Sequence, residues 1–496
     1  MRGGDTLTRP TVSYLGDADR RFVHEQVVRV LEDVGIGYNT PEAIELLAEA
    51  GAPVDRERLT ARMPWDLVER CLATCPKEVL LAARDPRHDV VIGDGSLTFC
   101  TDGTGTYMLD DVTGVRSEGS AEALRTVMRL FDALPDVDYT WPSISARDLD
   151  PLTAGLEIEA ISLANCSKHV QDEVRDPAHA APLIEIFEAV AGASLWERPI
   201  FSTIDCTVAP LQHEREMTEA TIALVRAGVP VLILPMPLAG TTSPITALGT
   251  SVILLAELLS AVVLFQLAKP GCRLISGVGA GVADMRTGLY LAGTPECGLI
   301  NIIGIEMSRF YGLPVLGSAG SGDAKVSDHQ AGAEAMMMGL ACALAGADTM
   351  LAFGLVDGAQ SVSLATTVLD CDTVGAIKRV VREQEVGAAE ALVDDLVEVG
   401  IGGRFLARRS TRDRLRAGEL WRPRGWRREA FEQYAGHSLL ADAAATACEL
   451  VAAHEVPPLP DDVTDEIDDV IDRYARTVGA PAGRVRWRDD APGAPE

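Results

Sequence analysis

The sequence predicts an α/β chain built on a (β/α)8 TIM barrel, with a helical and β-hairpin extension before it and helices after it. Two observations carry that prediction. From about residue 119 a unit repeats over roughly 250 residues: a short apolar strand, a glycine-rich or polar loop, then an amphipathic helix. Such alternation requires a parallel sheet covered on both faces. The number of units approaches eight, which favours closure into a barrel over an open doubly wound sheet. With 496 residues, 47% of them hydrophobic, the chain can bury a core of that size.

Residues 1–118 form the N-terminal extension. Within it, DADRRFVHEQVVRVLEDVGI and TPEAIELLAEAGA carry apolar residues at helical spacing, each closed by glycine. The Gly-, Asp- and Thr-rich stretch 87–118 reads as small β-hairpins. The barrel is expected over 119–400, opening with a helix at 120–134. Its strands are DYTWPSI, KHVQDE, PIFSTID, PVLILPMPL, CRLISGVGA, LPVLGSAG and TMLAFGL, in that order, with an eighth expected near SVSLATTVLDCDTV. Residues 401–480 read as a C-terminal helical extension, and 481–496 as a disordered Pro/Gly/Arg tail.

Composition excludes several function classes. A net charge of −29 repels nucleic acid and anionic membranes and leaves a small molecule or another protein as partner. Ten scattered cysteines without a C-x-x-C pair imply reduced thiols and, with no apolar leader in MRGGDTLTRP, a cytoplasmic location. The run ITALGTSVILLAELLSAVVLFQLAKPG is long enough to span a membrane, but Glu257 and Gln266 within it favour a buried helix. The eight histidines show no metal-ligand spacing, so no metal is expected on this chain. Nor is there a phosphate loop, since Gly322-Asp323-Ala324-Lys325 stands where Gly-Lys-Ser/Thr is needed.

In a barrel of this kind the active site lies at the C-terminal ends of the strands. That rule points to Trp141, Gln171, Asp205, Ser276, Ser318, Ser321 and Phe353. The stretch GSAGSGDAKVSDHQAGAEA adds Asp323, Lys325, Asp328, Gln330 and Glu334 just past a strand end. These serve either as chemistry at the mouth or as a capped helix with solvated charges, because carboxylates favour a helix N-terminus and residues four apart share a face.

Four stretches, taken together, resemble the trimethylamine methyltransferase family: TSPITALGTSVILLAELLSAVVLFQLAKPG, KPGCRLISGVGAGVADMRTGLYLAGTPE, RFYGLPVLGSAGSGDAKVSDHQAGAEA and LDCDTV. The resemblance implies a (β/α)8 barrel that moves a methyl group from a methylated amine to the cobalt of a separate corrinoid protein. The chain carries no D-x-H-x-x-G pattern of its own, so cobalamin is expected on a partner. It is similar to the branch without pyrrolysine, which includes glycine betaine methyltransferases; the pyrrolysine position falls near Ser318 to Gly322. The sequence departs from many relatives at Gly403-Arg404-Phe405-Leu406, where Gly-His-Phe-Leu is expected.

On that resemblance Asp323 and Gln330 are expected closest to substrate or corrinoid, supported by Lys325, Asp328 and Glu334, with Ser318 and Ser321 in the facing loop. A quaternary ammonium has no N–H to donate and is held by aromatic faces and a carboxylate. Trp141, Tyr107 and Phe353 are the expected aromatics, Asp205 the countercharge, and Arg286 the cation for a betaine carboxylate. Two other readings stand beside this one: a barrel lyase or isomerase with acid-base carboxylates, and a non-catalytic betaine-binding barrel. A homo-oligomer is compatible with each.

Overall fold

The computed structural model describes residues 9–488 apart from 385, 435 and 437. Seven strands form one all-parallel sheet: β1 Thr98–Cys100, β3 Val170–Glu173, β4 Phe201–Asp205, β5 Val231–Ile233, β6 Leu274–Gly277, β7 Val315–Ser318 and β8 Thr349–Leu351. Each pairs with its sequence neighbour, and β8 pairs with β1 at Thr349↔Thr98. The remaining gap, between β1 and β3, is closed by Tyr139 and Thr140. They bridge in parallel to Cys100 and Val170 and constitute β2. The barrel is therefore complete.

Eight helices follow the eight strands: α1 Ala121–Ala133, α2 Ala154–Asn165, α3 Pro177–Ala191, α4 Arg215–Ala227, α5 Ala247–Ala268, α6 Pro295–Phe310, α7 His329–Ala345 and α8 Leu364–Val380. Most start on a side chain that accepts a free amide of the first turn, among them Ser120, Thr246, Thr294 and Ser363. Three end on a left-handed glycine, Gly192, Gly228 and Gly346.

Three parts of the sequence reading change. The barrel begins at Thr98, inside the stretch read as hairpins, and β1 takes the place of the strand expected near 361–374. That segment is instead capped by Ser363 and runs as α8, because the Ser363 hydroxyl accepts the Thr366 amide at 2.9 Å. LPVLGSAG is accordingly the seventh strand. The expected tail is seated at least to residue 488: Trp487 is buried, its backbone N–H donates to Glu157 at 2.7 Å and its indole to Asp468 at 2.9 Å. Residues 489–496 lie outside the described residues.

The N-terminal extension does two jobs. Helices Asp17–Arg29, Pro41–Glu49 and Trp65–Thr74 cover α5, which explains a 22-residue apolar helix inside a folded domain. The hairpin Val79–Leu81/Val90–Ile92 plugs the N-terminal end of the barrel. Its Val79, Leu81 and Ile92 join the interior side chains Cys100, Tyr139, Ile204, Leu232, Ile275, Leu316 and Leu351 in one cluster. The other end is roofed by the strand-to-helix loops. Tyr107–Leu109, Arg116–Glu118, Leu355–Val356 and Ser361–Val362 make a four-stranded sheet, while Leu238–Ala239, Gly281–Ala283 and Tyr290–Leu291 make a three-stranded one.

Candidate active site at the barrel mouth

Asp102 lies two residues past β1 and is 6% exposed. One carboxylate oxygen accepts the Gly103 amide at 2.7 Å and the other accepts the hydroxyl of Ser321. In the barrel β1 and β7 are separated by β8, so this contact reaches across the end of β8, over the mouth. No Lys, Arg or His among the described residues pairs with Asp102, and burial holds its carboxyl above the usual range. Ser321 adopts φ +57° and Phe353, just past β8, φ +71°. Two non-glycine residues in the left-handed region at neighbouring strand ends mark a turn held by its surroundings.

Tyr290, on the roof, has its ring within van der Waals reach of any side chain placed on Gly358, whose amide donates to the Gly322 carbonyl at 3.0 Å. Burial first, and then the nearby thiol and carboxylates, push its phenol up. Its ring packs where any side chain on Gly281 would sit.

The charged motif after β7 is a positioning frame. Asp323 accepts the Ala292 and Gly293 amides at 2.8 and 3.1 Å, tying the β7 loop to the β6 loop. Glu334 accepts the Ala324 amide at 3.1 Å and the Gln330 side-chain amide at 2.7 Å. Asp328 caps α7 through the Gln330 and Ala331 amides. Lys325 and Arg116 both pair with Asp357, at 2.5 and 2.8 Å. Asp323 thus spends both oxygens on backbone, and Gln330 is exposed and turned to Glu334, so the geometry gives these residues the framework reading.

Other expected residues scatter. Ser318 ends β7, its hydroxyl 3.5 Å from the Gly320 carbonyl, and Phe353 is fully buried behind it. Trp141, 4% exposed, belongs to the barrel-interior cluster, and its indole N–H donates to Asp172 at 3.1 Å. Tyr107 sits in the roof with the Arg116 guanidinium over its ring.

Asp205 is a correction. Inward-facing Ile204 turns it to the helix layer, where it lies 3.4 Å from the Thr221 hydroxyl and 4.0 Å from His213, with burial pushing it up to about 7. Arg286 is another: it is 91% exposed at a hairpin tip and paired with Asp284 of its own turn.

A cavity of about 520 Å³ opens beside the mouth, between α7, α8 and the C-terminal residues Trp426 and Leu440; Ser321, His329, Met336 and Asp370 are among its other walls. Asp370 accepts the Gly354 amide at 2.9 Å and burial pushes it up to about 6. Asp102, Tyr290, Asp370 and Trp426 escaped the sequence reading. The signal for Asp102 was a polar residue closing the apolar run TFC, hidden by the glycines around it.

A family model for trimethylamine methyltransferase matches residues 5–479. The chain belongs to the trimethylamine methyltransferase family. Among curated members of this family, the trimethylamine methyltransferase of Desulfitobacterium hafniense is 31% identical over 81% of each chain. A trimethylamine methyltransferase of Methanosarcina mazei is 30% identical over 96% of this chain and 98% of its own. The glycine betaine methyltransferase of Desulfitobacterium hafniense is 26% identical over 96% and 98%. The barrel also matches the crystal structure of the Methanosarcina barkeri monomethylamine methyltransferase, with a TM-score of 0.53, 11% identity and coverage of 97% and 90%. At that identity the likeness shows the fold alone.

Proposed function

We propose that this family member takes a methyl group from a quaternary amine of glycine betaine type and passes it to the corrinoid of a separate cytoplasmic protein. The observation that supports the reading is an exposed apolar rim at the mouth. Its roof hairpins and loops expose Val112, Val115, Met285, Leu289, Ile245 and Val326, all on the strand-to-helix side of the barrel. Apolar side chains gathered on one face mark a protein contact. The likeness to a glycine betaine methyltransferase supports the substrate class, and ten unpaired cysteines support the compartment.

The corrinoid supplies the nucleophile. Everything else falls to this chain. When the C–N bond breaks, the nitrogen keeps the electron pair and leaves as a neutral tertiary amine, so no side chain has to protonate the leaving group. The residues need only orient the methyl group toward the open face and exclude water.

The test is a panel of methylated amines incubated with the purified chain and reduced cobalamin, followed by absorbance. Glycine betaine or a close relative should methylate the cobalamin. Turnover of trimethylamine with no quaternary amine active, or demethylation with no cobalamin present, would overturn the reading.

A further inference from the structure

We propose that Asp102 is the anion that receives the substrate's ammonium group, with Tyr290 as the aromatic wall beside it; this rests on the quaternary-amine reading above. The first argument is topological. Asp102 comes from the β1 loop, Ser321 from the β7 loop and Tyr290 from the β6 hairpin, and β7 is not adjacent to β1. Two loops from strands that are not neighbours, those after β1 and β7, thus meet on one carboxylate over the mouth, and the β6 hairpin that carries Tyr290 flanks the β7 loop. In a barrel that is the position of the reacting group, not of a strand-edge contact.

The second argument is charge. A buried carboxylate is costly without a positive partner, and cations on the strand-to-helix loops are committed elsewhere. Arg116 and Lys325 share Asp357, and Arg175 is bound to Glu173. Asp102 has hydrogen bonds that hold its orientation, from Gly103 and Ser321, but nothing that neutralises it. A quaternary ammonium supplies the missing charge without competing for those hydrogen bonds, because it has no N–H. Asp205 cannot serve, since it points into the helix layer.

The third argument is access and shape. Ser321, which holds Asp102, also lines the 520 Å³ cavity, so the cavity comes within one side chain of the carboxylate. The Tyr290 ring lies within van der Waals reach of any side chain placed on Gly358, whose amide donates to the Gly322 carbonyl at 3.0 Å, one residue from Ser321, and the Tyr290 hydroxyl has no hydrogen-bond partner among the described residues. An aromatic face next to an anion is the recognition pair for a methylated cation.

The experiment is calorimetric binding of glycine betaine to the full chain, without corrinoid, for the wild type and for Asp102→Asn, Ser321→Ala and Tyr290→Leu, with melting temperatures recorded alongside. Asp102→Asn should weaken binding at least tenfold and Tyr290→Leu several-fold. Ser321→Ala should weaken it less than Asp102→Asn. Wild-type affinity retained in a folded Asp102→Asn overturns the proposal. Should that variant not fold, unchanged affinity in both Ser321→Ala and Tyr290→Leu overturns it instead. A wild type that binds no quaternary ammonium at all brings down the substrate reading itself, an outcome distinct from the failure of Asp102 alone.

Discussion

Glu334 shows how much of the site rests on glycine. Its carboxylate is wedged between Gly293 and Gly322, and a Cβ at either position would collide with it. Without those two contacts Glu334 could not reach the Ala324 amide, and the β7 loop that presents Ser321 would lose its anchor. Gly322→Ala is expected to destabilise the fold by about 1–3 kcal/mol and to lower turnover. Gly332 is the internal control: it lies in the same segment, inside α7, with open space around it. Gly332→Ala should be neutral or stabilising by about 0.5–1 kcal/mol. Thermal melts of the two variants check both, and equal losses would refute the wedge.

At the scale of elements, α5 makes the sharpest prediction. This helix is apolar enough to cross a membrane, yet most of its length is buried under the N-terminal helices and against the barrel. Glu257 within it is held by the Thr207 hydroxyl at 2.5 Å and the Leu211 amide at 2.7 Å, and burial pushes its carboxyl up to about 7. The folded state therefore keeps the proton that the unfolded chain releases near the ordinary carboxyl value of 4.5. The stabilisation is complete below that pH and is lost as pH rises through about 7. Glu257→Gln retains the neutral shape and the contacts, so its stability relative to the wild type should increase from pH 5 to pH 8, by at most roughly 3 kcal/mol. Melting temperatures of the pair across that range measure it, and parallel curves would show that Glu257 is ionised when buried.

The same scale shows what could be read in advance. Strands with consecutive aliphatic residues, such as VLI in β5 and LISG in β6, were visible because a buried parallel strand is apolar on both faces. β1 was not, being three residues long among turn formers, whereas β2 was read as DYTWPSI although only Tyr139 and Thr140 of it pair. The partner of β1 at Thr349 is also some 250 residues away, so no local pattern announces the pairing. The site followed suit. That Asp205 closes a strand was legible, but whether its side chain faces the barrel or the helices depends on a one-residue parity that only Ile204, facing inward, decides. Asp328 as a helix cap was legible from its place before an apolar run, whereas Asp102 needed the closed barrel to bring Ser321 to it.

For the whole molecule, the division of labour lies along the barrel axis. One end is plugged by the Val79–Leu81/Val90–Ile92 hairpin, so function is confined to the other, where the roof exposes apolar tips. Those tips are remote from Asp102 in chemistry: Met285 and Leu289 belong to a turn whose own charges, Asp284 and Arg286, pair with each other. If the roof receives a corrinoid protein, contact and chemistry are separable. Met285→Glu together with Val112→Glu adds two negative charges to a surface that already belongs to a chain of −29. Both positions are exposed, so the fold should be unaffected to within about 0.5 kcal/mol. With the partner protein the double variant should lose at least tenfold in kcat/KM, because desolvating two unpaired charges in an apolar contact is costly. With free cobalamin, which needs no protein contact, the rate should match the wild type. A variant equally impaired with both acceptors would place these tips in the chemistry, and one impaired with neither would remove the roof from the docking surface.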